Sequence, residues 1–228
     1  MALALMDVDD TLIHGYTGFL SLPYLRRAGI IGWKHVFRAV HYVLLNNVGL
    51  LDDEKMLCEV CEPFVGQRVE SVQIALEEAL REVLLPRLRQ DGLSCLERHR
   101  WRGDQLVLFT STSRLVASPL ARTLDIPNVV ALFQRTKDGF FLPGLEEPIC
   151  YGEGKLLRLQ AFAAEREEDL EEAYYYTDSY RDLSALRAVG HPRPVNPDRH
   201  LKRVAHREGW LTLQWSNRRA LLPRRGTP

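Results

Sequence analysis

What the chain lacks narrows the possibilities first. Its 228 residues contain no run of about eighteen uncharged apolar residues, so no membrane-spanning helix is expected. Net charge is missing as well. Thirty basic residues cancel thirty acidic ones, which leaves no overall field to favour nucleic acid or an anionic membrane. Cysteine is scarce, at Cys58, Cys61, Cys95 and Cys150. Cys58 and Cys61 have the spacing of half a zinc site or a redox pair, but no second ligand pair follows at a suitable distance. Reduced thiols of a cytoplasmic protein are the better reading. The opening "MALALMDVDD" is apolar for six residues and then strongly acidic, unlike a secretory leader. Repeats and low-complexity tracts are absent too. The most local absence is of acids: from residue 11 to residue 51 there is no Asp or Glu, whereas Arg26, Arg27, Lys34 and Arg38 all fall there.

What is present reads as a soluble globular chain. Hydrophobic residues make up 46% and charged residues 26%, and the length suffices for one core plus a smaller accessory domain. Short apolar runs end in polar residues: "ALALM" at Asp7, "QLVLF" at Thr110, "AYYYT" at Asp178. "NVVALF" (128–133), "RPVN" and "WLTLQW" are further candidate strands, and helical patterns such as "SRLVASPLARTL" and "EGKLLRLQAFAAERE" separate the runs. This alternation predicts an α/β fold, a doubly wound parallel sheet with helices on both faces. Ligands of such sheets bind at the carboxyl ends of the strands. Residues 15–95 break the alternation with helical patterns alone, so they are expected to form an inserted helical domain within a discontinuous core of residues 1–14 and 96–228. Residues 136–155 predict a hairpin turning at Asp138-Gly139. The terminal "PRRGTP" reads as a frayed tail.

The chemistry concentrates where those runs end. Asp7, Asp9 and Asp10 crowd three carboxylates behind the first strand, and Asp7 and Asp9 point to one side of an extended chain. Carboxylates repel, so the cluster calls for a divalent metal, a phosphoryl group held by it, or both. A helix cap would need only one such residue. Thr110, Ser111, Thr112 and Ser113 precede a helix, where hydroxyls and free N–H groups make a phosphate seat, although the same residues are ordinary caps. Lys155 opens a helix after a glycine-flanked turn; taken alone, a lysine is usually a surface charge. Asp178 and Asp182 follow the third run at i, i+4 spacing, which would face both the same way on a helix.

In order and context these segments resemble the haloacid dehalogenase-like superfamily, whose members carry DxDx(T/V), a strand-end Ser or Thr, a Lys and a final acidic motif. The insertion resembles that superfamily's helical C1 cap, and the tail "GHPRPVNPDRHLKRVAHREGW" resembles the phosphoserine phosphatase-like subfamily IB. The likeness covers essentially the whole chain. It implies a phosphatase of a small phosphorylated metabolite, with Asp7 as nucleophile and Asp9 as proton donor and then acceptor. Thr110, Ser111, Lys155 and the main-chain N–H of Asp10 would bind phosphate. Mg²⁺ would be the cofactor, on Asp7, the carbonyl of Asp9 and Asp178, with Asp182 supporting from behind. Asp10 departs from the Gly or Ser common there. A dehalogenase has no use for Asp9, a phosphomutase would share the centre, and a non-catalytic binding module would be expected to have lost one of these groups. Tyr16 stands where phosphoserine-cleaving members carry a Glu for the substrate ammonium. Phosphoserine is therefore not the expected substrate, unless Glu77 or Glu78 reaches the site. Most of the aromatics Phe19, Tyr24, Trp33, Phe37 and Tyr42 are expected to pack the insertion's own core.

Overall fold

The computed structural model describes residues 2–47, 56 and 59–217. Cys58 and the "PRRGTP" tail lie outside the described residues, as does part of the helical domain expected at 15–95. In chain order the elements are β1 (Leu3–Met6), α1 (Thr17–Arg27), α2 (Trp33–Asn47), α3 (Val69–Ala79), α4 (Gln90–Arg102), β2 (Gln105–Ser113) and α5 (Arg114–Thr123). They continue with β3 (Asn128–Leu132), β4 (Gln134–Lys137), β5 (Phe140–Leu145), α6 (Glu153–Glu165), β6 (Tyr174–Thr177), α7 (Leu183–Arg187), β7 (His191–Pro194) and α8 (Arg199–Arg207).

Five strands form one sheet in the order β3-β2-β1-β6-β7, every neighbouring pair parallel. Period-two alternation explains why its strands read as unbroken apolar runs. Leu3 and Leu5 face Leu159, Phe162 and Ala163 of α6, whereas Ala4 and Met6 share a core with Val116, Ala117 and Leu120 of α5. Both faces are buried, as the doubly wound reading requires. The chain leaves β1 towards β2 and β3 on one side and later returns to β6 and β7 on the other. The carboxyl end of β1 is therefore the switch point where a ligand crevice opens.

The insertion after β1 is helical throughout its described part. Gly29 turns the chain at φ +74° between α1 and α2. Beyond α3 the helix widens into a π-helical turn over Leu80–Leu84 and tightens into a 3₁₀ turn over Leu85–Arg87. α4 runs through position 95 and carries the chain back to β2. Its Gly92 lets Leu12 and Trp215 come so close that a Cβ would stand 2.9 Å from Leu12 Cδ2. The β4–β5 hairpin turns at Asp138 and Gly139, both at positive φ, as a two-residue turn demands. It holds the insertion by main-chain bonds from Gly66 to Phe141, Phe141 to Gln67 and Val69 to Gly139.

One candidate strand fails. "WLTLQW" pairs with the sheet through a single bridge from Leu213 to Val195, although Trp215 stacks on Tyr176 of β6. β7 directs the N–H groups of His191 and Val195 at β6. By alternation the positions facing outward are Pro192 and Pro194, which have no N–H to offer a further strand. Buried His99 was equally unforeseen. Its ring lies between Asp104 Oδ2 at 2.8 Å and the Tyr176 hydroxyl at 2.9 Å, and ties α4 to β6.

Gly190, just before β7, is packed so tightly that a Cβ would stand 1.7 Å from Glu171 O. Gly190→Ala is expected to destabilise the fold by about 3 kcal/mol or more, because main chain must move. Urea unfolding measures it, and a change under about 0.5 kcal/mol would mean that the entry to β7 yields freely.

Candidate active site

Asp7 follows β1 directly, and its N–H donates to Tyr176 O at 3.0 Å, so it continues the ladder between β2 and β6. The residue is 6% exposed. Thr110 of β2 donates to it from one side. On the other side Lys155 Nζ lies 3.6 Å from Asp7 Oδ1. Lys155 is 1% exposed, against the ordinary expectation for a lysine. Its burial is made tolerable by Asp182, whose Oδ2 lies 2.8 Å from Nζ and also accepts from the Tyr175 hydroxyl at 2.7 Å and the Thr177 hydroxyl at 2.6 Å. Tyr175 in turn accepts from Lys155 at 3.0 Å. Tyr175 and Thr177 sit two apart on β6 and so share a face.

Sequence spacing therefore finds Asp182 but gives the wrong reason. No α-helix links it to Asp178; a 3₁₀ turn over Tyr180–Asp182 precedes α7. Asp178 stands apart from that network and accepts from the Thr11 hydroxyl at 3.4 Å.

Asp9 occupies a different setting. Its Oδ1 accepts from Thr17 N at 2.6 Å and its Oδ2 from the Thr112 hydroxyl at 3.0 Å. One carboxylate thus joins the end of β1, the start of α1 and the end of β2. Thr112, two residues beyond Thr110, was not singled out among the four hydroxyls; alternation along β2 was the available signal. Ser111 between them is half-buried. Asp10 adopts φ +49° and closes a turn, its Oδ1 accepting from Gly15 N at 2.9 Å while Arg89 donates to its carbonyl at 3.2 Å. Its N–H lies 3.3 Å from Gly15 O, a long bond that must open before that group can serve a phosphate.

The electrostatics follow from burial. Desolvation lifts Asp7 to about 6, with Lys155 pulling down and Asp182 and Asp9 pushing up. Burial also raises Asp9, and it raises Asp178 well above the usual carboxylate range, helped by Asp7 and Asp10. Burial alone would lower the Lys155 ammonium, but Asp182 and Asp7 outweigh it and the net shift is upward. The site holds more buried acid than Lys155 can neutralise. An all-oxygen divalent cation such as Mg²⁺ fits that surplus. Among the described residues no three His, Cys, Asp or Glu side chains form a metal site by themselves. A set of Asp7, Asp178 and the carbonyl of Asp9 is two carboxylates and a main-chain oxygen, and asks for no third side chain.

Beyond Asp9 a cavity of about 330 Å³ separates the insertion from the core. Tyr16, Phe19 and Tyr42 line it, whereas Trp33 and Phe37 lie on the outer face of α2, exposed and 6.1 Å apart. The aromatics thus do not simply pack the insertion's interior. Glu59 also lines the cavity, an acid that sequence reasoning passed over. Glu77 and Glu78 do not reach it; they bond to Gln73 and Arg27.

A parallel α/β sheet with buried carboxylates, a buried lysine and hydroxyls at its switch point defines a phosphoryl-transfer enzyme of the doubly wound class. The profile of the haloacid dehalogenase-like hydrolases matches residues 4–187, and the chain belongs to that family. A histidinol-phosphatase of Neisseria meningitidis is 28% identical over 219 residues, 93% of this chain and 98% of that protein. The crystal structure of a Bordetella pertussis protein of unknown function superposes at TM-score 0.84 with 26% identity, covering 93% and 97% of the two chains. A phosphoserine phosphatase, solved as a phospho-aspartyl intermediate analogue, gives TM-score 0.69 at 17% identity over 96% and 94%, a likeness of fold. The chain is a phosphatase of this family.

Asp182→Asn leaves Lys155 with Asp7 as its remaining close carboxylate. It is expected to lower kcat roughly ten- to a hundredfold, the usual consequence of losing an outer partner of a reacting group. Steady-state kinetics on protein whose circular dichroism matches the wild type decides this, and an unchanged kcat would remove Asp182 as the group that positions Lys155.

Proposed function

We propose that the chain hydrolyses a small phosphomonoester in a Mg²⁺-dependent reaction through an aspartyl-phosphate on Asp7. The observation that carries this reading is the pairing at the end of β1: Asp7 beside a buried ammonium, and Asp9 on the wall of the adjacent cavity. A carboxylate oxygen of Asp7 attacks phosphorus as the bond to the ester oxygen breaks. Asp9, on the wall of the cavity that receives the leaving group, gives that oxygen its proton. Water then attacks the aspartyl-phosphate, Asp9 takes the water's proton, and Asp7 is released. Thr110 and Lys155 hold the phosphoryl oxygens, and Lys155 offsets their charge. Asp7, Asp178 and the Asp9 carbonyl would hold Mg²⁺, which when bound would supply the remaining positive charge against the phosphate dianion. We further propose that residues 15–95 act as the cap of this site, that Ser111 and the main chain at Asp10 complete the phosphate seat, and that the enzyme works in the cytoplasm. A net charge of zero gives it no overall field that would favour nucleic acid.

Asp7→Asn is expected to abolish phosphate release without changing the fold, because an amide does not attack phosphorus. Substantial residual turnover by folded protein would exclude Asp7 as nucleophile. EDTA is expected to silence the wild type and added Mg²⁺ to restore it, as read by phosphate release over a panel that includes phosphoserine and histidinol phosphate. Full activity in chelator would overturn the metal assignment.

A further inference from the structure

We infer that the preferred ester has an uncharged, mainly apolar leaving group, and that the cavity between insertion and core is the site that takes it. This rests on the phosphatase reading of Asp7 and Asp9. The proton donor stands on the cavity wall, so the group it protonates departs into that space.

The walls are largely hydrocarbon, with Phe19, Leu22, Leu76, Val116, Phe133 and Phe141 contributed by both sides. Besides Asp9, the ionisable side chains lining it include His35, Arg38, Tyr42 and Glu59. Arg38 is shared between Glu59, on the cavity wall, and Glu62 behind it. Arg38 lies 3.4 Å from Glu59 Oε2, donates to the Glu59 carbonyl at 3.0 Å, and lies 2.8 Å from Glu62. The Tyr42 hydroxyl donates to Glu59 as well. His35 accepts from Gly32 N at 3.1 Å through Nδ1. Burial, with Lys34 and Arg38 nearby, holds it below the usual imidazole range, so it is neutral at pH 7.

A substrate ammonium here would need a carboxylate without a cation, and a substrate carboxylate would need a cation without an acid. Apart from Asp9, which the reaction uses as its proton donor, neither is on offer among the described lining residues. Burying an unmatched charge is costly, whereas each methylene moved from water into such a wall is favourable. The volume takes about ten non-hydrogen atoms, at roughly 30 Å³ each. The missing acids of residues 11–51 thus become a specificity device. Among the described residues, the acid that the later part of the insertion brings to the cavity is Glu59, and it arrives with Arg38 as a partner.

The test is a series of n-alkyl phosphates from methyl to octyl, the same chains ended in ammonium or carboxylate, and phosphoserine, all assayed with Mg²⁺. We expect kcat/KM to rise about threefold per methylene until the cavity is full. A terminal charge of either sign should lower it by a hundredfold or more. In Phe19→Glu, a half-exposed position that tolerates the change, the ratio of octyl to ammonium-ended ester should fall at least tenfold. A flat series, or phosphoserine or any charged ester on top, would overturn the inference while leaving a working phosphatase. Failure to cleave any ester, methyl phosphate included, would instead overturn the phosphatase reading itself. Octyl phosphate in solution, compared with a long-chain monoacyl phosphomonoester in vesicles, tells a free source of this chemistry from a bilayer source. Cleavage of neither would overturn the inference.

Discussion

The rest of the site depends on one buried ammonium. Lys155 gives up nearly all contact with water, and Asp182, Tyr175 and Asp7 replace it. Losing one partner of such a cluster typically costs about 3–5 kcal/mol, because the other charge stays buried and unmatched. The elements that supply those partners must therefore come together or not at all. β6 brings Tyr175 and Thr177 on one face, the turn after it brings Asp182, β1 delivers Asp7, and α6 begins where it can aim Lys155 at all of them. The start of α6 has almost no freedom, since a Cβ on Gly154 would stand 1.8 Å from Ile149 O. The glycines of "YGEGK" are there for close approach as well as for the turn.

Two carboxylates of one sequence motif have different surroundings. Asp7 lies against a cation and a hydroxyl, which favour its charged form against burial. Asp9 lies against a main-chain N–H and the Thr112 hydroxyl, away from Lys155, with its pKa raised. Burial raises both, so it is position, Asp7 beside Lys155 and Asp9 on the cavity wall, that supports the proposed division between nucleophile and proton donor.

α2 turns His35, Arg38 and Tyr42 towards the cavity and leaves Trp33, Phe37, Val40 and Leu44 exposed on its other side. This inverts the usual amphipathic helix. The expectation that its aromatics pack inside the insertion failed for that reason: periodicity shows that a face exists, and only the packing shows which way it points.

Much was legible in the chain itself. Apolar runs ending in Asp7, Thr110 and Asp178, with helical periods between them, determine a parallel sheet and its ligand edge, because both faces of such a sheet must be buried and its strands must end in polar groups. The turn at Asp138-Gly139 is local backbone chemistry and was equally readable. What tertiary structure alone decided are the distances across the chain. Asp182 serves Lys155 through a network with Tyr175 and Thr177, not through helical spacing. Thr112 and Thr17 meet on Asp9 from positions 95 residues apart. Glu59 reaches the cavity already paired with Arg38. A one-dimensional pattern records which residues are near in sequence and which face they share. Whether a charge is matched, and by what, depends on elements packed from elsewhere in the chain.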